Sequence, residues 1–127
     1  MTSPKTIMID EVKYVRADSI KAAQAPSANG LTHCIIRSYA AGVFAGYLKT
    51  KTAEPNGVNA TLINSRRIWS WRGACSISQL ATEGSKLIEE CKIAVVVPTM
   101  TVFNVVEIIP TSKQAHDMIE GAKEWKL

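Results

Sequence analysis

The sequence predicts an α+β fold: one small, mainly antiparallel sheet of about five to seven strands, two or three short helices and an N-terminal hairpin or arm. Three observations favour it. The chain has 127 residues, the size of a single domain. Short β-branched and aromatic runs recur between Gly, Pro and Asn residues. Two serine-led capping patterns each precede a short amphipathic stretch.

The first part of the chain reads as an appendage. Two apolar runs in residues 7–15 flank an acidic pair, which predicts a small hairpin. A capped helix over 18–25 and a small, polar linker over 25–30 follow. We therefore expect residues 1–30 to form a hairpin, arm and linker, and residues 31–127 to form the β-rich core.

Most of the core sequence is extended in character. A tight connection at 40–42 and a loop at 52–57 separate three strands of a predicted antiparallel meander. Later in the chain, Pro98, Thr99 and Met100 separate two further aliphatic runs. The predicted strands cover residues 32–39, 42–48, 59–71, 93–97 and 101–109.

The helices are predicted from their first residues. Ser76 and Gln79 form a capping box, which predicts a helix near 77–83 that ends at Gly84. A further helical turn follows in residues 85–91. The run from Thr111 to Gln114 repeats the capping pattern and predicts a final helix near 112–120.

Charge is distributed unevenly along the chain. Residues 1–75 hold ten Lys and Arg against four Asp and Glu, whereas residues 76–127 hold five Lys against seven Asp and Glu. This asymmetry is compatible with a nucleic-acid or acidic-protein partner. It is equally compatible with an oligomer in which basic and acidic surfaces meet. The longest aliphatic runs are too short to span a bilayer, so no membrane partner is expected.

The three cysteines form no metal motif. Cys34, Cys75 and Cys91 lie far apart, no C-x-x-C is present, and the chain has only two histidines. We expect reduced thiols that pack as small hydrophobic groups; one disulfide with a free thiol, or a bond between subunits, are the alternatives. No metal and no cofactor is predicted.

One segment, residues 64–73, concentrates two of the three tryptophans and three of the five arginines. In an extended strand Arg67, Trp69 and Trp71 share one face, and the intervening residues share the other. Indole rings and guanidinium groups on one face can stack bases and hold phosphates, or anchor a protein partner. They can equally be core aromatics with an arginine stem packed over them. The interface or binding candidates are Arg66, Arg67, Trp69, Trp71 and Arg72.

The sequence contains no catalytic signature. His116 and Asp117 are adjacent on a predicted helix, and His33 and Cys34 are adjacent on a predicted strand, so neither pair is expected to face together. No nucleophile elbow, phosphate-binding loop or zinc-protease motif is present. We predict that the protein is not an enzyme.

Six stretches of the sequence together carry a family resemblance: Ile9–Ser19, Ile36–Leu48, Asn64–Ala74, Ser76–Gly84, Glu90–Lys92 and Val106–Pro110. They resemble a family of small tailed-bacteriophage proteins that carry a domain of unknown function. The resemblance covers most of residues 7–125 and implies a phage origin, with no established activity or functional residues.

Two functions remain open from the sequence. The first is a non-enzymatic phage protein that works through an oligomeric protein–protein interface, as a virion component such as a decoration, connector or tail accessory protein. The second is a nucleic-acid or nucleotide-binding phage protein, including counter-defence by binding a host factor or a small signal. The expected partners are copies of itself or other phage proteins, in the virion or in the host cytoplasm.

Overall fold

The structure, a computed structural model, describes residues 27–28, 30–55 and 57–126. The hairpin predicted in residues 7–15 and the helix predicted over 18–25 lie outside the described residues. The strands are β1 (Ser27–Ala28), β2 (Leu31–Ser38), β3 (Gly42–Glu54), β4 (Gly57–Ser70) and β5 (Lys92–Pro110). The helices are α1 (Ile77–Glu83) and α2 (Lys113–Glu120), with a 3-10 segment at Ile88–Glu90.

The sheet closes on itself. Each long strand pairs antiparallel with the next along the chain, and β2 also pairs with β5. This closing ladder runs from Cys34 opposite Pro110 to Ser38 opposite Val105. Strand β5 has 19 residues, and it pairs first with β4 and then with β2. Since few strands can close only with steep tilt and stagger, its length is what allows four strands to form a barrel.

The predicted fold class is wrong, because the described chain is dominated by one sheet of four long strands, with 57% of its residues in strands. In place of the expected five to seven short strands, the sheet has four long strands and the two-residue β1. Pro98 lies within β5 and does not end it: Val97 and Thr99 pair with β4 on either side, and Pro98 itself has no partner in that ladder. A proline at such a position costs no ladder hydrogen bond. Opposite it, Asn64 has a φ of 51°, which marks an irregularity in β4.

Two apolar cores lie on the two faces of this sheet. The barrel interior is filled by one set of side chains, and the helices cover a second set on the outer face. In β2 and β3 consecutive residues belong to opposite sets, as the pleat requires, whereas β4 and β5 contain register irregularities that change the alternation. The interior set is Cys34, Ile36, Phe44, Ala60, Leu62, Val102 and Val105, and the helix-side set includes Ile35, Ala45, Ile68, Ile93, Leu80 and Ile119.

Serine caps both helices. The Gln79 N–H donates to Ser76 Oγ at 3.2 Å, as the capping box predicts, but the Gln79 side chain accepts from Cys75 N–H. In α2 the capping oxygen belongs to Ser112, which accepts from Ala115 N–H at 3.0 Å. The pattern had pointed to Thr111, one residue earlier. Thr111 is buried and its hydroxyl contacts the ring of His33 instead.

Candidate functional site

The candidate residues of β4 divide between the two faces of the sheet. Arg67 pairs with Phe44, whose side chain lies in the barrel interior, whereas Arg66 pairs with Ala45 on the helix side. The pleat therefore sends Arg66 under the helices and turns Arg67 toward the open end of the barrel. The two neighbouring arginines have different roles for this reason alone.

Arg66 is a buried structural residue. Only 2% of it is exposed, and its guanidinium donates to Ala94 O at 2.8 Å and to Ile119 O at 2.6 Å, with a longer contact to Ile93 O at 3.4 Å. Burial lowers the pKa of Arg66, while Glu120 and Glu124 oppose this effect. Arginine stays charged throughout the physiological range, so this group joins β5 to the end of α2 as a cation.

Arg67 lies at the open end of the barrel. Its guanidinium carbon is 4.5 Å from the ring centre of Phe44 and 5.3 Å from that of Trp69. Its Nη1 donates to Ala41 O at 2.7 Å, which fixes it against the β2–β3 turn. Arg67 also forms one wall of a cleft of about 340 Å³, which we call the mouth cleft. The mouth cleft is lined by Ser38, Ala40, Ala41, Phe44, Arg67 and residues 100–104.

Trp69 is exposed beside Arg67, with 59% of its surface accessible. Its ring meets that of Trp125 edge to face at 6.3 Å between centroids, and Lys92 Nζ lies 5.2 Å from the Trp125 ring. The backbone N–H of Trp125 donates to Ile93 O at 2.8 Å, which fixes this tail residue against β5. We call Arg67, Trp69, Lys92 and Trp125 the tryptophan patch. The sequence gives no local signal that pairs Trp125 with Trp69.

The predicted common face of Arg67, Trp69 and Trp71 is wrong, because β4 ends at Ser70 and the alternation ends with it. Trp71 is half-buried and packs against the helix-side core. Arg72 is exposed and pairs with Glu90 at 3.3 Å. The reading of Trp69 and Trp71 as joint core aromatics fails too, since only Trp71 contacts a core.

Exposed large apolar side chains concentrate along β5. Val95, Val96, Phe103 and Val106 belong to this strand, and Phe103 is 60% exposed. Tyr39, 84% exposed, joins them because its backbone N–H donates to Asn104 O. Together with the tryptophan patch they form what we call the β5 surface. Exposed large apolar side chains that are concentrated on one strand are typical of interaction sites.

A polar cluster fastens α2 to the barrel. Tyr47 Oη lies 2.8 Å from His116 Nε2, and His116 Nδ1 lies 2.9 Å from Asp117 Oδ1. The expectation that His116 and Asp117 do not meet is therefore wrong. Adjacent helical residues diverge at Cβ, but the flexible Asp117 carboxylate reaches back to the ring. Burial and the nearby Glu120 and Asp117 carboxylates raise the pKa of Tyr47.

Buried His33 extends this cluster. Its Nδ1 lies 2.7 Å from Thr111 Oγ1, and its Nε2 lies 3.5 Å from Glu120 Oε2. Contact with His33 holds the pKa of Glu120 below its usual value, although burial opposes this. His33 and Tyr47 are both buried, so this cluster resembles a structural contact between α2 and the barrel more than an accessible active site.

Cys34 and Cys91 are buried and Cys75 is exposed, and all three are free thiols. The structure thus contains no disulfide among these cysteines. Among the described residues, no helix is long and apolar enough to cross a membrane.

The sequence matches a known family over most of its length. The family model of a domain of unknown function, DUF6948, matches residues 31–119. This agrees with the predicted resemblance to a family of unknown function, while the phage origin stays a prediction. No curated protein and no solved structure matches the chain.

Proposed function

Because the chain belongs to the DUF6948 family, whose function is unknown, we propose a function from the surface of the molecule: it acts by binding, as a self-associating protein-interaction module. The observation that carries this proposal is the β5 surface. Seven exposed large apolar side chains lie on or beside one strand: Tyr39, Trp69, Val95, Val96, Phe103, Val106 and Trp125. Tryptophan, tyrosine and arginine are the residues that most often anchor protein interfaces.

The site of action proposed with it is the bacteriophage virion, as a decoration, connector or tail accessory protein. The support is the resemblance of the sequence to small tailed-phage proteins. A component of a particle repeats one contact many times, and an apolar surface on a small non-catalytic domain suits that use. Mass spectrometry of purified phage particles tests this part, and absence of the protein from the particles contradicts it.

Self-association is tested on the full chain by sedimentation velocity over a range of concentrations. We expect the wild type to form a defined oligomer, and Phe103→Asp and Trp69→Ala to shift it toward monomer. Thr50→Asp is the matched control, because Thr50 is an exposed strand residue away from the β5 surface. A wild-type protein that is monomeric at all concentrations refutes the proposal.

A second function is favoured by one observation: the Arg67 guanidinium lies close to the rings of both Phe44 and Trp69 at the mouth cleft. Aromatic rings next to a cation are what a nucleotide or single-stranded nucleic acid uses for stacking and phosphate contacts. Two of the predicted phosphate ligands are engaged elsewhere, however: Arg66 is buried and Arg72 pairs with Glu90. Fewer arginines are therefore available to bind phosphate, so we rank nucleotide binding below self-association.

Tryptophan fluorescence separates the two functions. Titration with mononucleotides and with labelled single- and double-stranded oligonucleotides at ~50 mM salt should change the emission of Trp69 if they bind. The change should disappear in Arg67→Ala. No binding in any of these titrations removes the second function and leaves the first untouched.

A further inference from the structure

The mouth cleft has a cation on its wall with no carboxylate beside it. Among the described residues Arg37 pairs with Glu107, and Arg72 pairs with Glu90. Among the described residues Arg67 has no carboxylate partner; its guanidinium contacts Ala41 O and the rings of Phe44 and Trp69. The rest of the cleft wall is mainly apolar, with Phe44, Met100, Val102 and Phe103. Its shape and charge thus suit a group that combines an apolar body with a negative end.

The same chain presents such a group on the helix side of the sheet. Leu87 is 42% exposed, and among the residues that the structure describes it is the one exposed large apolar residue outside the β5 surface. Two residues later, Glu89 is exposed and has no basic partner among the described residues, whereas Glu90 is occupied by Arg72. Leu87 is the N-cap of the 3-10 segment Ile88–Glu90, and Glu89 lies within that segment.

We propose that the mouth cleft of one copy receives Leu87 and Glu89 of a second copy, with the Glu89 carboxylate on the Arg67 guanidinium. This rests on the proposed self-association and names the contact that directs it. The described residues 31–75 hold six Lys and Arg against one Glu, and residues 76–126 hold five Lys against seven Asp and Glu. Arg67 belongs to the basic part and Glu89 to the acidic part, so the proposed ion pair agrees with this difference in charge.

The cleft volume is adequate for this occupant. At about 340 Å³ it exceeds by roughly tenfold the ~30 Å³ share of one water molecule, so it admits an apolar side chain together with a carboxylate. A guanidinium held on Phe44 and by Ala41 O loses little freedom when a carboxylate arrives, because its position is already fixed.

Contact between unlike surfaces has a consequence for assembly. Each copy offers one mouth cleft and one Leu87–Glu89 segment, so the contact is head to tail. Such an interface produces a ring if its rotation closes and a filament if it does not. A purely two-fold dimer would require both contacts to form reciprocally between the same two copies.

The test is a charge exchange measured by sedimentation equilibrium on the full chain. We expect Arg67→Glu and Glu89→Arg each to weaken self-association by at least about tenfold, because each places like charges together. The double variant, with both substitutions, should recover to within about threefold of the wild type. Glu83→Arg is the matched control, since Glu83 is exposed on the same side of the sheet at the end of α1. Thermal unfolding followed by circular dichroism verifies that each variant is folded, and Arg67→Lys supplies a charge-conserving variant.

The outcomes separate this contact from the function on which it rests. Failure of the double variant to recover, or wild-type association in both single variants, overturns the contact. Val106 is exposed on β5 but does not line the mouth cleft. If Val106→Asp abolishes association while the charge variants leave it unchanged, self-association through the β5 surface stands and the mouth contact is refuted. A wild-type chain that is monomeric throughout refutes both.

Discussion

Replacement of Arg66 by methionine tests the role that the structure gives to this buried cation. Methionine has a similar length and can fill much of the space, but it has no donor. The change removes the bonds that Ala94 O and Ile119 O now receive at 2.8 and 2.6 Å, although Ile119 O keeps a bond from the Ala122 N–H at 3.2 Å. It also removes the link between β5 and the last turn of α2, from which the chain leads to Trp125.

The magnitude follows from the two short bonds. A hydrogen bond to a charged group contributes about 1.5–3 kcal/mol, and an unpaired buried carbonyl costs about 1–3 kcal/mol. Removal of a buried charge offsets part of this loss, because Arg66 no longer has to be desolvated. We therefore expect Arg66→Met to lower the free energy of unfolding by about 3 kcal/mol.

Urea unfolding followed by circular dichroism measures this change. Arg72→Met is the matched control: Arg72 is exposed and pairs with Glu90 on the surface, where such a pair contributes about 0–1 kcal/mol. The difference between the two variants is thus the effect of burial. A loss below about 0.5 kcal/mol for Arg66→Met would refute the reasoning, since a surface substitution has that size.

Three further predictions address the helix cap, the polar cluster and the thiols. Ser76→Ala should lower the free energy of unfolding by about 1 kcal/mol in urea titrations, because the Gln79 N–H loses its acceptor, while Ser78→Ala within the helix should be near neutral. Because the folded pKa of Glu120 lies below its usual value near 4.5, its contribution to stability is present above that value and is lost as the pH falls through the folded pKa. Urea midpoints from pH 6 to pH 3 should therefore fall less steeply in Glu120→Gln, and equal slopes would contradict this. Burial raises the pKa of Cys34 to about 12 and Cys91 is also buried, so iodoacetamide should label only Cys75 in the native protein, as seen by peptide mass spectrometry, and all three cysteines in urea.

Local signals predicted local structure well. The spacing of Ser76 and Gln79 identifies the start of α1, because a capping box depends only on neighbouring residues. Turn residues likewise locate the β2–β3 connection, where Gly42 has a φ of 106° that favours glycine. In both cases the information is contained within a few residues of the feature.

Features that depend on contacts between distant parts of the chain could not be predicted from the sequence. Pro98 looked like a strand end, but β5 continues through it because β4 holds Val97 and Thr99 on either side. Alternation correctly separates Arg66 from Arg67, yet it fails for Trp71 beyond the end of β4. The ring that contacts Trp69 is that of Trp125, which the Arg66 bond to Ile119 O and the Trp125 N–H bond to Ile93 O bring near. The two tryptophans are far apart in the sequence, so no local spacing pattern predicts their contact.

Closure of the barrel has a kinetic consequence. His33 and Thr111, which contact each other beside the closing ladder, are 78 residues apart in the chain. Bringing residues so far apart together costs conformational entropy before their contacts stabilise the structure. The pairing of β2 with β5 should therefore form last and limit the rate of folding. The β2–β3 and β3–β4 hairpins, in contrast, have short connections and can form early. During translation the sheet would therefore stay open until the second half of β5 had left the ribosome.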